Sequence, residues 1–189
     1  MPEKIIYDCF IGVLVPDDVA IAYERFKNKV RQAVPGLGYS QDAPRITVWN
    51  SVDIRERSLE PMQNTLERHR EMLRGASIMV SGLGYLLPDN PFMAYLEARV
   101  PPQLVDFRTA TRADLSTFCR DERLEYHPHL RFAFMPRQEQ KRTFRRNEQK
   151  LREMCAGINW SFPVTQVAIW GKDQANQTAR PIRTITLLK

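Results

Sequence analysis

The chain has 189 residues, 43% hydrophobic and 26% charged, the profile of a water-soluble globular protein and too short for two ordinary independent domains. No apolar run approaches the roughly 20 residues that a membrane span requires, so a membrane protein is not expected. Lys and Arg number 28 against 22 Asp and Glu, and the resulting formal charge of +6 favours an anionic partner, because net positive charge concentrates phosphates near a surface.

In chain order, IIYDCFIGVLV (5–15) is rich in β-branched and aromatic residues and stops at Pro16. It reads as a first strand and not as a cleaved leader, since an acidic residue interrupts the run and no small-residue cleavage site follows. Asp17 and Asp18 then offer helix N-caps, Val19, Tyr23, Phe26, Val30 and Val34 recur at helical spacing, and Pro35-Gly36 stops the pattern. After the loop GLGYSQDA comes the short strand PRITVW (44–49). A second helix is predicted from about Ser58 to Arg74, with Leu59, Met62, Leu66, His69 and Leu73 on one stripe. ASIMVSGLGYLL (76–87) and FMAYLEARV (92–100) read as strands joined by the turn PDNP (88–91).

The second half repeats the theme. A helix opens at Pro101-Pro102 and runs to about Arg120, the strand HPHLRFAF (127–134) follows, and a basic helix extends to about Ala156. FPVTQVAIW (162–170) and PIRTITLL (181–188) read as closing strands. The cationic run RQEQKRTFRRNEQKLR (137–152) is the expected solvated face of its helix more than a dedicated anion site. One compact unit over residues 1–189 is predicted, with pseudo-repeat lobes from roughly 1–90 and 91–189 between which strands can exchange. Three cysteines, Cys9, Cys119 and Cys155, are an odd number without a CxxC, so neither a disulfide framework nor a zinc site is expected and a reducing cytoplasm fits.

The two halves overlay on their key strands. Pro44-Arg45-Ile46-Thr47-Val48 and Pro128-His129-Leu130-Arg131-Phe132 share the order proline, basic, aliphatic, polar or basic, apolar. Strand side chains alternate, so Arg45 and Thr47 share one face, as do His129 and Arg131, while their neighbours are buried opposite. Brought together, the two strands would pool two arginines, a histidine and a threonine, a set suited to an oxyanion. His127 and His129 also share a face, but His69 is the only other histidine and no acidic or cysteine cluster adjoins them, so no metal site is expected.

With these motifs the sequence resembles the 2H phosphoesterase superfamily, the LigT-type RNA 2',3'-cyclic phosphodiesterases and their 2'-5' RNA ligase relatives. FIGVLVPDDV resembles that family's opening strand and turn, PRITVW its first His-x-Thr position, SIMVSGLGYL a strand ending in a glycine-rich turn, and HPHLRFAF its second His-x-Thr position. VTQVAIW and PIRTITLL resemble its closing strands. The resemblance implies an α+β fold of two pseudo-symmetric lobes, each an antiparallel sheet with helices on its outer face, around a central cleft. It implies His129 and Thr47 as catalytic residues, with Arg45 standing where the first histidine is expected and Arg131 where the second threonine is expected. No cofactor and no metal are implied; RNA ends or cyclic (oligo)nucleotides are the implied partners of an expected monomer.

Opening a 2',3'-cyclic phosphate needs a base to activate water and an acid to protonate the departing ribose oxygen, roles that two histidines exchange. Arginine stays protonated at any working pH and serves neither role, but it clamps phosphate oxygens. Loss of one partner is expected to lower the rate by roughly 10²- to 10⁴-fold. Phe10, Trp49 and Trp170 are candidates to stack on a base, and His127, roughly 6 to 7 Å along the strand from His129, is a cleft-lining candidate. The expectation is a metal-independent phosphodiesterase of reduced activity, with a nucleotide- or RNA-end-binding module and a purely structural protein as the alternatives.

Overall fold

The computed structural model describes residues 5–50, 53–86, 93–116, 126–134, 138–172 and 178–187, with only the backbone of 138–141. In chain order they form β1 (Ile5–Leu14), α1 (Asp17–Ala33), β2 (Gly38–Tyr39), β3 (Arg45–Asn50), β4 (Ile54–Arg55), α2 (Leu59–His69), β5 (Ser77–Leu86), β6 (Met93–Arg99), α3 (Pro102–Leu115), β7 (His129–Phe134), α4 (Gln138–Ala156), β8 (Asn159–Pro163), β9 (Gln166–Lys172) and β10 (Arg180–Thr186). The strands make two antiparallel sheets. One has the order β10-β9-β1-β3, with β4 also on β1; the other has the order β2-β7-β6-β5-β8. The class is α+β, with two lobes.

Neither sheet follows one half of the chain. Strands β9 and β10 complete the sheet begun by β1 and β3, whereas β2 and β5 from the first half join β7 in the other. The helices cross over in the same way. Phe26 of α1 meets Phe132 of β7 edge-on at 5.2 Å, and Phe144 of α4 meets Tyr85 of β5 at 5.4 Å, so α1 and α4 cover the second sheet. Helices α2 and α3 pack on each other and against β9, β10 and β3 of the first. Most buried side chains of both lobes form one continuous core, and Phe10, Ala168, Trp170 and Ala179 form a second, smaller cluster.

The predicted elements meet the structure with instructive exceptions. FPVTQVAIW is not one strand. Pro163, which lacks an amide hydrogen, ends β8 opposite Ser77, and the chain then leaves one sheet for the other through Val164 and Thr165. The amide of Val164 donates to Ala76 and the carbonyl of Thr165 accepts from Leu187, so the crossing keeps its backbone groups paired. The predicted helix 58–74 is α2 flanked by 3₁₀ turns at Glu56–Ser58 and Arg70–Leu73; Pro61 is accommodated because it lies in the first turn of α2. The PDNP turn, the end of the helix predicted to Arg120, and Cys119 lie outside the described residues. Cys9 and Cys155 are buried, and burial pushes the Cys155 thiol up to about 12. No helix among the described residues is long and apolar enough to cross a membrane.

Candidate functional site

Strands β3 and β7 belong to different sheets yet touch each other where the lobes meet. Ile46 and Val48 are buried on one face of β3, Leu130 and Phe132 on one face of β7. Alternation turns Arg45, Thr47, His129 and Arg131 the other way, and all four line a single cleft with Phe10. The cleft is also lined by Tyr23 of α1, by Ser40 and Asp42 of the loop before β3, and by Asn50. Its volume of about 110 Å³ is well above the roughly 10–15 Å³ a single water needs.

Three predicted residues do not line the cleft. Trp49 is 2% exposed and belongs to the core. Its partner on β1 is Ile11, but Thr47 pairs with Gly12, so Val48 is the extra residue of a bulge that reverses the phase of the strand. Asn50 therefore takes the cleft position that uninterrupted alternation assigns to Trp49, and the carbonyl of the bulged Val48 accepts from Arg108 Nε at 3.0 Å. Trp170 is also 2% exposed, stacked on Phe10 at 5.7 Å, and so stands behind the cleft wall. His127 is exposed, and its contribution comes from its backbone.

That contribution falls on His129. Nδ1 of His129 lies 2.5 Å from the carbonyl oxygen of His127. A carbonyl only accepts, so Nδ1 carries the proton and Nε2 is the basic nitrogen of the neutral ring. The imidazole packs on Tyr95 of β6, centroids 4.6 Å apart, and Tyr95 in turn lies across Gly84 of β5, where a Cβ would collide with the ring. A glycine in one strand and a tyrosine in the next thus hold the histidine at a set height above the sheet.

Asp42 is the charged cleft residue that sequence reasoning missed, along with the polar Tyr23, Ser40 and Asn50. Its Oδ2 accepts from Arg45 Nη2 at 3.2 Å and from Arg131 Nη2 at 2.9 Å, with only 16% of its side chain exposed. The two arginines are not equivalent. Arg45 is the enclosed one: Nη1 donates to the Ala43 carbonyl, and the guanidinium lies 4.2 Å from the Phe10 ring centroid and 5.1 Å from that of Trp170. Burial, the largest influence, lowers the pKa of Arg45, and Asp42 opposes it by charge and hydrogen bond. The rings proposed to stack on a base are thus occupied by each other and by Arg45. Arg131, 35% exposed, is the arginine open to the cleft. The signal for Asp42 was its spacing three residues before Arg45 in a turn-forming loop; nothing local linked it to Arg131.

The loop carrying Asp42 is pinned from two sides. Ser40 donates its amide to Phe132 of β7 at 3.2 Å, and its carbonyl accepts from the buried Lys27 of α1 at 3.0 Å. The Tyr23 hydroxyl donates to the Arg131 carbonyl, and burial raises its pKa above the ordinary tyrosine value, so it remains a neutral donor. Among the described residues no three His, Cys, Asp or Glu side chains cluster as a metal-ion site.

No protein-family model matches the sequence, and no curated protein matches it. Solved structures do match, along nearly the whole chain. Escherichia coli LigT in complex with 3'-AMP is 14% identical, with 97% of this chain and 99% of that chain covered and a TM-score of 0.67. TT0787 of Thermus thermophilus is 16% identical, with 95% and 97% covered and a TM-score of 0.69. This is the 2H phosphoesterase fold. The MHV ns2 PDE domain shares it more distantly, at 10% identity, 96% and 97% coverage and a TM-score of 0.53. In the 2H phosphoesterase fold of this chain, the cleft between the lobes is the one lined by Arg45, Thr47, His129 and Arg131.

Proposed function

We propose that the cleft binds the phosphate of an RNA end or small cyclic nucleotide and that the protein is a metal-independent phosphodiesterase of reduced activity, acting on 2',3'-cyclic phosphates or 2'-5' linkages. The observation that carries this reading is the convergence of His129, Thr47 and Arg131 from two sheets on one cleft, with Arg45 behind them. LigT, which has the same fold, forms complexes with 3'-AMP, phosphate, ATP and NADP+. Arg131 and Thr47 donate to the phosphate oxygens, and His129, its Nδ1 proton held by the His127 carbonyl, transfers protons through Nε2. A single proton-transfer group does the work that a histidine pair would divide, and this makes turnover slow.

Binding without turnover is the second reading. It is favoured by His129 being the only histidine among the described residues that line the cleft. One assay separates the two: incubation, without added metal, with 2',3'-cyclic mononucleotides and 2'-5'-linked oligonucleotides. Slow product formation that falls by roughly 10²- to 10⁴-fold in His129→Ala supports the enzyme. Nucleotide affinity with no product above background supports the binding module. Absence of both rejects the cleft as a phosphate site.

A further inference from the structure

Arg45 and Arg131 together bring two permanent positive charges to the cleft, and Asp42 is bonded to both. A carboxylate shared in this way is not a loose counter-ion. Its loop is tied to β7 through Ser40 and to α1 through Lys27, and the strand bearing Arg131 is tied to α1 by Tyr23. For Asp42 to swing out, a nearly enclosed carboxylate would have to give up two charge-assisted hydrogen bonds, while Arg45 stayed behind, enclosed and without its counter-charge. The carboxylate therefore stays when a ligand arrives, and the trio presents one net positive charge.

Resting on the phosphate-binding reading above, we propose that Asp42 is a specificity residue: by cancelling one of the two arginine charges it narrows the advantage that a doubly charged phosphate monoester would otherwise have over a singly charged phosphodiester in the cleft. A phosphodiester, cyclic or linear, carries one negative charge. A monoester carries nearly two above its second pKa of about 6. Both bind on the side of Arg131 that Asp42 leaves open, but the second charge of the monoester faces the carboxylate across the same guanidinium. The monoester left by opening a cyclic phosphate is thus held less tightly than two uncompensated arginines would hold it, which favours its release.

Calorimetric titration of the intact protein in a His129→Ala background, which prevents turnover, tests this at pH 7.5 and low salt. The probes are 3'-AMP, its singly charged 3'-methyl phosphate ester, and 2',3'-cyclic AMP. Adding Asp42→Asn raises 3'-AMP affinity by about fivefold or more, fivefold being the effect of one unit charge about 4 Å away in water, and raises the singly charged probes less. Equal gains for all three probes, or equal losses, would show that Asp42 only positions the arginines and would overturn the proposal. Where Asp42→Asn does not fold, Asp42→Ser, which removes the same charge, is read by the same comparison. If no probe binds either protein, the phosphate-binding reading falls first and this proposal with it.

Discussion

At the scale of single residues, the two arginines divide the labour that the cleft requires. Arg45 is enclosed by Phe10 and Trp170 and bonded to Asp42 and Ala43, whereas Arg131 shares Asp42 but keeps 35% of its side chain exposed. Their truncations should therefore separate. Arg45→Ala removes a largely enclosed partner of Asp42 and leaves a gap beside two aromatic rings, and should destabilise the fold by about 3 kcal/mol. Arg131→Ala should leave stability within about 1 kcal/mol, the worth of a partly exposed ion pair, and abolish most phosphate affinity. Urea unfolding set beside phosphate titration checks both; equal effects of the two variants on stability would remove the distinction.

Among the elements, the strands reach the cleft because they are irregular. The bulge at Val48 moves Trp49 into the core and Asn50 into the cleft. On β1, Asp8 adopts φ +47°, in the left-handed region, and the register with β9 shifts between Tyr7 and Phe10, which sets the phase that brings Phe10 to the cleft. Across β5, β6 and β7, Gly84 admits the Tyr95 ring on which His129 rests. Gly84→Ala should displace that ring, cost about 1 to 3 kcal/mol of stability as an overpacking change, and lower phosphodiester turnover through His129. Denaturation and kinetics on the one variant test the link. Stability lost with turnover intact would show that His129 keeps its place without Tyr95.

For the whole molecule, the interlocked lobes bury tyrosines that other elements hold in place. Burial is the largest influence on each, pushing Tyr39 up to about 12 and Tyr23, Tyr85 and Tyr126 well above the ordinary value. Each folded-state pKa is raised, so as pH climbs past about 10 the unfolded chain loses phenolic protons that the native state retains. The stabilisation is full below about pH 10 and is lost as pH rises through the folded values. Each tyrosine steepens the decline by up to about 1.4 kcal/mol per pH unit. Urea midpoints should stay level from pH 8 to 9.5 and fall steeply above 10. Tyr126→Phe should make the fall shallower, since the Tyr126 hydroxyl is buried and has no hydrogen-bond partner among the described residues. An unchanged slope in that variant would count against the linkage.

The sequence by itself determined the order of the four helices and most of the longer strands, and the facing of Arg45, Thr47, His129 and Arg131; it did not show the two-residue strands β2 and β4. That order and facing follow from period-2 alternation and helical spacing, which are properties of neighbouring residues. Only the tertiary structure decided which sheet each strand joins, why FPVTQVAIW breaks at Pro163, and that Trp49 and Trp170 stand outside the cleft. It alone set Asp42 between the two arginines, because Asp42 and Arg131 are 89 positions apart along the chain. A bulge and a shared carboxylate arise from contacts between distant segments, and no local pattern encodes them. That carboxylate turns an apparent pair of phosphate clamps into a site with one net positive charge.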